Sequence, residues 1–282
     1  MDKIINGKEI AQNILDNLKI KIQKLDKKPS LAVIIVGENP ASKIYVKNKA
    51  KKALEVGFNS ILKELKEDTS KEELLSVIEN LNNDPDITGI LLQLPLPSHL
   101  DERDFLDKID PKKDVDGFSA YNAGKLFKGE KPFAIPCTPK GIIKLLEEKN
   151  VEIEGKVAVV IGRSNIVGKP VASLLLNKNA TVIQAHSKTE NLKEITKQAD
   201  ILISATGKKG LITEDMIKEN SVLIDVGIIR NDEGKLFGDI DFNGAYKKAS
   251  LITPVPGGVG PMTIASLMEN TYELHLLQEG LK

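Results

Sequence analysis

The chain has 282 residues, 41% hydrophobic and 28% charged, with 40 basic side chains against 40 acidic ones. That length carries two domains, each able to bury its own core, and the zero net charge gives no ground for binding nucleic acid or an anionic membrane surface. The single cysteine, Cys137, excludes an intramolecular disulfide and a cysteine-rich zinc site, and His99, His186 and His275 lie far apart, so no bound metal is expected.

Apolar runs alternate with amphipathic segments almost throughout, which predicts an α/β protein with largely parallel sheets. In the first half the pattern gives helices over 7–24, 41–56 and 70–82 and strands over 31–36, 60–65 and 87–93. Ser70 with Glu73 forms a capping box that marks the start of the third helix. Thr138 followed by Pro139 signals a helix over 139–149 that bridges two domains. The second half alternates strands over 157–161, 180–185, 201–205 and 222–226 with helices over 166–177, 192–197 and 214–218, a Rossmann-like series. A last helix over 263–278 follows the glycine-rich PVPGGVGPM stretch and is expected to return to the first domain. The division is therefore 1–138 joined by 263–282, and 139–262, with a cleft between the two as the expected active site. No basic, apolar leader and no apolar run of about 20 residues is present, so the expected location is the cytoplasm, away from any membrane.

The segment VAVVIGRSNIVGKP breaks from a strand into a glycine turn and then a helix, where Gly162 allows a sharp exit and Gly168 close packing. The first N–H groups of that helix are expected to point at an anion, although Gly162, Ser164 and Gly168 do not make GxGxxG and a ligand-free turn reads similarly. The next strand ends in His186, Ser187 and Lys188 in place of the Asp or Glu that NAD sites carry. Arg163, one of only three arginines, offers donors for a 2′-phosphate with Ser187 and Lys188 and favours NADP over NAD, while an exposed cation near a helix start is the competing reading.

ASKIYVKNK sets Ser42, Tyr45 and Lys49 on one helical face. Lys47, Lys51 and Lys52 crowd that helix with positive charge, an arrangement that favours a neutral amine able to act as a base, while a solvated lysine face is the competing reading. Gln93 ends a very apolar strand ahead of two prolines, as a cleft-facing amide or a cap for stray backbone groups. Asp116, in DVDGF, is placed either to accept paired N–H donors from an aminopyrimidine ring or to close an Asx-turn.

Together SKIYVKNK, LLQLPLP, KDVDGF, PCTPKG, GRSNIVGKP, HSKT, SATGKKG, IDVGI, GDIDF and PGGVGPMT resemble, in order and over nearly the whole chain, the bifunctional methylenetetrahydrofolate dehydrogenase/cyclohydrolases. The resemblance implies NADP-dependent oxidation of 5,10-methylenetetrahydrofolate followed by hydrolysis to 10-formyltetrahydrofolate. It implies Lys49 as the catalytic lysine, Tyr45 against the folate ring, Gln93 bonded to the lysine, Ser42 in the substrate site, and Asp116 on the pterin's amino edge. Gly162, Arg163, Ser164, Ser187 and Ile228 match the family's NADP positions, and a homodimer through the cofactor domain is implied. Lys209 stands where the pattern expects proline. Of the rival readings, a short-chain dehydrogenase would carry its glycine turn before its YxxxK, and a non-catalytic NADP-binding regulator has no need for Lys49, Gln93 and Asp116 together, while a dehydrogenase without cyclohydrolase activity stays open.

Overall fold

The computed structural model describes residues 3–231 and 233–281. They form two compact units, one of Asn13–Cys137 with Ile264–Lys282 and the other of Thr138–Thr263 with the residues up to Gln12. Helices α1 (Gly7–Gln23), α6 (Cys137–Glu148) and α10 (Val259–Gln278) each contribute residues to both.

In the first unit β1 (Ser30–Val36), β2 (Asn59–Leu65) and β3 (Gly89–Leu92) make a parallel sheet in the order β2-β1-β3. Every residue of β1 is buried, as an apolar run at the centre of a parallel sheet must be. Helix α2 (Pro40–Val56) starts where the Asn39 side chain accepts from Ser42 N, and it ends at Gly57, whose φ of +97° suits the left-handed stop. Helix α3 (Lys71–Asn83) starts where the Ser70 hydroxyl accepts from Glu73 N at 3.1 Å, and it buries Leu74, Ile78 and Leu81 against Ile34, Ile90 and Phe105. Two short helices that the periodicity does not predict, α4 (Arg103–Leu106) and α5 (Ala120–Phe127), follow β3.

The second unit holds β4 (Val157–Ile161), α7 (Gly168–Asn177), β5 (Thr181–Ala185), α8 (Leu192–Thr196), β6 (Ile201–Ser204), β7 (Val222–Asp225), α9 (Phe242–Lys248) and β10 (Leu251–Ile252). Its five parallel strands lie in the order β5-β4-β6-β7-β10. By rank along the chain that is 2-1-3-4-5, the doubly wound arrangement whose switch point falls between the first and third strands. A hairpin of β8 (Ile229–Arg230) and β9 (Leu236–Phe237) stands apart from the sheet.

Some expected boundaries move. The helix expected over 214–218 is a single 3₁₀ turn, Glu214–Met216. Helix α6 begins at Cys137, so Pro139 sits inside the first turn, where its missing N–H has no intrahelical acceptor to lose. The first residues join the second unit, not the one in which the sequence reading put them, because Ile4 bridges Ile252 and Ile5 N donates to Ile252 O at 2.9 Å. Gly7 packs there backbone to backbone on Gly258, leaving no room for a side chain. Among the described residues no helix is long and apolar enough to cross a membrane.

Candidate active site

In the first unit the amine of Lys49 donates from Nζ to Oε1 of Gln93 at 3.0 Å. Helix α2 supplies the lysine and the end of β3 supplies the amide: Gln93 N still donates to Ile34 O at 2.8 Å, so the residue continues the sheet pairing just past the strand. Its Nε2 donates to Leu94 O at 2.6 Å, which orients the amide with its oxygen toward the lysine. The lysine is half-buried and hydrogen-bonded, unlike a solvated surface cation. One turn earlier Tyr45 is 44% exposed, whereas Ser42 is buried near the start of the helix with its N–H held by Asn39. The positive crowding expected along α2 is offset, since Lys51 and Lys52 both pair with Glu55, at 3.8 and 2.7 Å.

Asp116 is half-buried in the same unit. Burial pushes its carboxyl above the usual carboxylate range and the neighbouring Asp114 adds to this, while the Lys49 ammonium and a hydrogen bond from Cys137 pull it down. The buried Cys137 thiol donates to Asp116 Oδ1 at 3.4 Å. Gly117 has a φ of +68°, and a Cβ there would lie 2.8 Å from the Ala134 carbonyl oxygen. This explains the glycine of DVDGF. Asn270, 1% exposed on α10, ties the turn down by donating from Nδ2 to the carbonyls of Val115 and Ile135, each at 2.8 Å. Sequence reasoning missed it because 155 residues separate Asn270 from Val115.

In the second unit a cavity of about 380 Å³ opens at the carboxyl ends of β4, β5 and β6, at the topological switch point. Gly162, with φ of +130°, makes the turn out of β4, and a Cβ there would meet the Ala205 carbonyl oxygen at 2.5 Å. A Cβ at Gly168 would run into the Gly162 carbonyl, so both glycines are required by close approach. Arg163 and Ser187 line the cavity with His186, Thr189, Thr206 and Lys208, and among the described residues no carboxylate lines it. That donor set fits the extra phosphate of NADP.

Two expected cofactor residues stand elsewhere. The Ser164 hydroxyl accepts from Val167 N at 3.2 Å and Gly168 N at 3.3 Å, and its carbonyl accepts from Lys169 N at 3.0 Å. The N–H groups at the start of α7 that were expected to face an anion are thus already hydrogen-bonded to Ser164. Ile228 is 48% exposed on the loop after β7 and does not line the cavity. Thr206 and Lys208 were missed as site residues; their signal is the SATGK segment directly after β6, legible once β6 is known to flank β4.

Comparison with known proteins gives two family matches: the tetrahydrofolate dehydrogenase/cyclohydrolase catalytic domain over residues 5–116, and the NAD(P)-binding domain of the same family over residues 136–279. The bifunctional protein FolD of Streptococcus thermophilus is 54% identical over 277 residues, 97% of each chain. The crystal structure of the bifunctional FolD methylenetetrahydrofolate dehydrogenase/cyclohydrolase of Campylobacter jejuni superimposes with a TM-score of 0.96 at 47% identity, covering 99% of both chains. The Trypanosoma brucei enzyme, solved with NADP cofactor and an inhibitor, gives 0.93 at 36% identity over 99% of this chain and 98% of its own. The chain belongs to the tetrahydrofolate dehydrogenase/cyclohydrolase family.

Proposed function

We propose that this chain oxidises 5,10-methylenetetrahydrofolate to the 5,10-methenyl cation with NADP and then hydrolyses that cation to 10-formyltetrahydrofolate, within folate one-carbon metabolism. The observation that carries the reading is the Lys49–Gln93 hydrogen bond of 3.0 Å, an oriented amine in the unit that also holds Asp116. NADP, when bound, takes the hydride from the methylene carbon. Arg163 and Ser187 hold its 2′-phosphate, and the protein's share in this step is positioning, with no base required.

In the second step water adds to the methenyl carbon, the bond from that carbon to N5 breaks, and one proton is released. Lys49 carries the proton, and Gln93 fixes the direction of the amine. Tyr45 packs against the folate ring, Asp116 accepts from the pterin's amino edge, and Ser42, on the helix that carries Tyr45 and Lys49, belongs to the substrate site. In this reading the unit of Asn13–Cys137 with Ile264–Lys282 binds folate and the other unit binds NADP, with Gly162, Ser164 and Ile228 shaping the loops around it. The protein is a cytoplasmic homodimer joined through the cofactor unit, whose sheet ends on the edge strand β5.

The test follows the methenyl chromophore with purified protein. Methylenetetrahydrofolate plus NADP should yield a methenyl signal that then decays, and methenyltetrahydrofolate alone should be hydrolysed without NADP. Oxidation without accelerated hydrolysis would reduce the chain to a dehydrogenase.

A further inference from the structure

The two wall residues Thr206 and Lys208 are held by their backbones from within the second unit. The Asp239 carboxylate, fully buried, accepts from Thr206 N at 2.6 Å and from the Ser204 hydroxyl at 2.9 Å through Oδ2, and from Lys208 N at 3.0 Å through Oδ1. A second buried carboxylate, Asp225, holds the first in place. It accepts from Asp239 N and Gly227 N through Oδ1 and from Ile240 N through Oδ2, all at 2.9 Å. Both glycines beside the pair are dictated by it: a Cβ on Gly227 would strike Asp239 Oδ1, and one on Gly238 would strike Asp225 Oδ2. The acids thus fasten the loop after β6, which lines the cavity, and the loop after β7, which carries Ile228, to one another.

We infer that Asp239 is a positioning residue for NADP, held by Asp225, and that it sets the 206–208 wall of the cavity before the cofactor arrives. The inference rests on the cofactor reading of that cavity. An acceptor-only group is required there because three donors converge on it. An amide offers one oxygen and two N–H groups, so Asp239→Asn leaves one of the three facing another donor.

The experiment compares wild type and Asp239→Asn by steady-state kinetics and calorimetry with NADP, and by hydrolysis of supplied methenyltetrahydrofolate without NADP. The expected result is an NADP Kd and KM raised about tenfold or more, as for loss of a hydrogen bond to a charged group. The kcat at saturating NADP and the NADP-independent hydrolysis should stay within about threefold of wild type, the split that marks a lost binding geometry. A lower melting temperature with unchanged NADP KM would make Asp239 a fold residue only and overturn the inference. Failure of the wild type itself to bind NADP would instead overturn the cofactor reading. Amide exchange on the wild-type protein needs no variant: the Thr206 and Lys208 N–H groups should be protected without NADP, and rapid exchange at both would contradict preorganisation by Asp239.

Discussion

Replacing Arg163 by alanine tests the cofactor assignment at one side chain. Arg163 is exposed and lines a cavity of about 380 Å³ into which no carboxylate of the described residues enters, so a phosphate placed there would meet the guanidinium. A charge-assisted hydrogen bond contributes about 1.5–3 kcal/mol, roughly 10- to 150-fold in affinity, and the exposure of Arg163 argues for the lower part of that range because solvent and salt screen the pair. NAD lacks the 2′-phosphate and should lose almost nothing. Calorimetric titration of both nucleotides against wild type and Arg163→Ala reads the difference directly, and raising the salt concentration should shrink the wild-type preference for NADP. Equal losses for the two nucleotides would refute the phosphate contact, and an unchanged NADP affinity would leave Arg163 as a surface cation beside the turn.

Gly162→Ala forces a side chain into φ of +130° and onto the Ala205 carbonyl oxygen, so it should cost about 1–3 kcal/mol in backbone strain, lowering the melting temperature by roughly 2–10 °C and weakening NADP binding; an unaltered melting curve would contradict the close approach. Asp116→Ala should weaken folate binding and both activities while leaving NADP affinity intact, and unchanged folate affinity in calorimetry would return the carboxylate to a turn-closing role. Burial raises the Asp225 carboxyl from 3.8 to about 6, against the three backbone N–H groups that favour its charged form. The folded state therefore keeps a proton that the unfolded chain releases, so this group's stabilisation is complete below about pH 4 and falls by about 3 kcal/mol as pH rises through about 6. Denaturant titrations of wild type and Asp225→Asn at several pH values should show that slope in the wild type alone, and parallel curves would contradict it.

The long periodic elements were legible because burial imposes its period on composition: SLAVIIV is a central parallel strand, and Leu74, Ile78 and Leu81 repeat at helical spacing. Lys49 and Gln93 were legible separately, one on a helix face and one at a strand end, and the fold joins them because β3 pairs beside β1, so Gln93 N reaches Ile34. Helices α4, α5 and α9 and the β8–β9 hairpin are too short for their periodicity to rise above the surrounding turns. The cofactor wall was only half visible. Gly162 and Arg163 announce themselves in the turn after β4, but Thr206 and Lys208 belong to the cavity only because the strand order places β6 beside β4. Ser164 is a cofactor position only through the family resemblance, and its hydroxyl accepts from Val167 N and Gly168 N at the start of α7, bonds that depend on the local turn and not on any sequence period. Asn270 and Asp239 could not be singled out, since each acts on backbone groups distant in sequence.

In the proposed mechanism one oriented lysine moves the proton in methenyl hydrolysis while hydride transfer needs only geometry, and Lys49→Met separates the two. Methionine keeps much of the side chain's length and apolar bulk but removes the amine that donates to Gln93 at 3.0 Å. Hydrolysis of methenyltetrahydrofolate should fall by the roughly 10²- to 10⁴-fold that a positioned acid–base group contributes. Hydride transfer to NADP should fall much less, so methenyltetrahydrofolate should accumulate in the coupled assay in place of the formyl product. If Lys49→Met hydrolyses methenyltetrahydrofolate at the wild-type rate, the amine is not the proton carrier and the mechanism built on the Lys49–Gln93 pair is wrong.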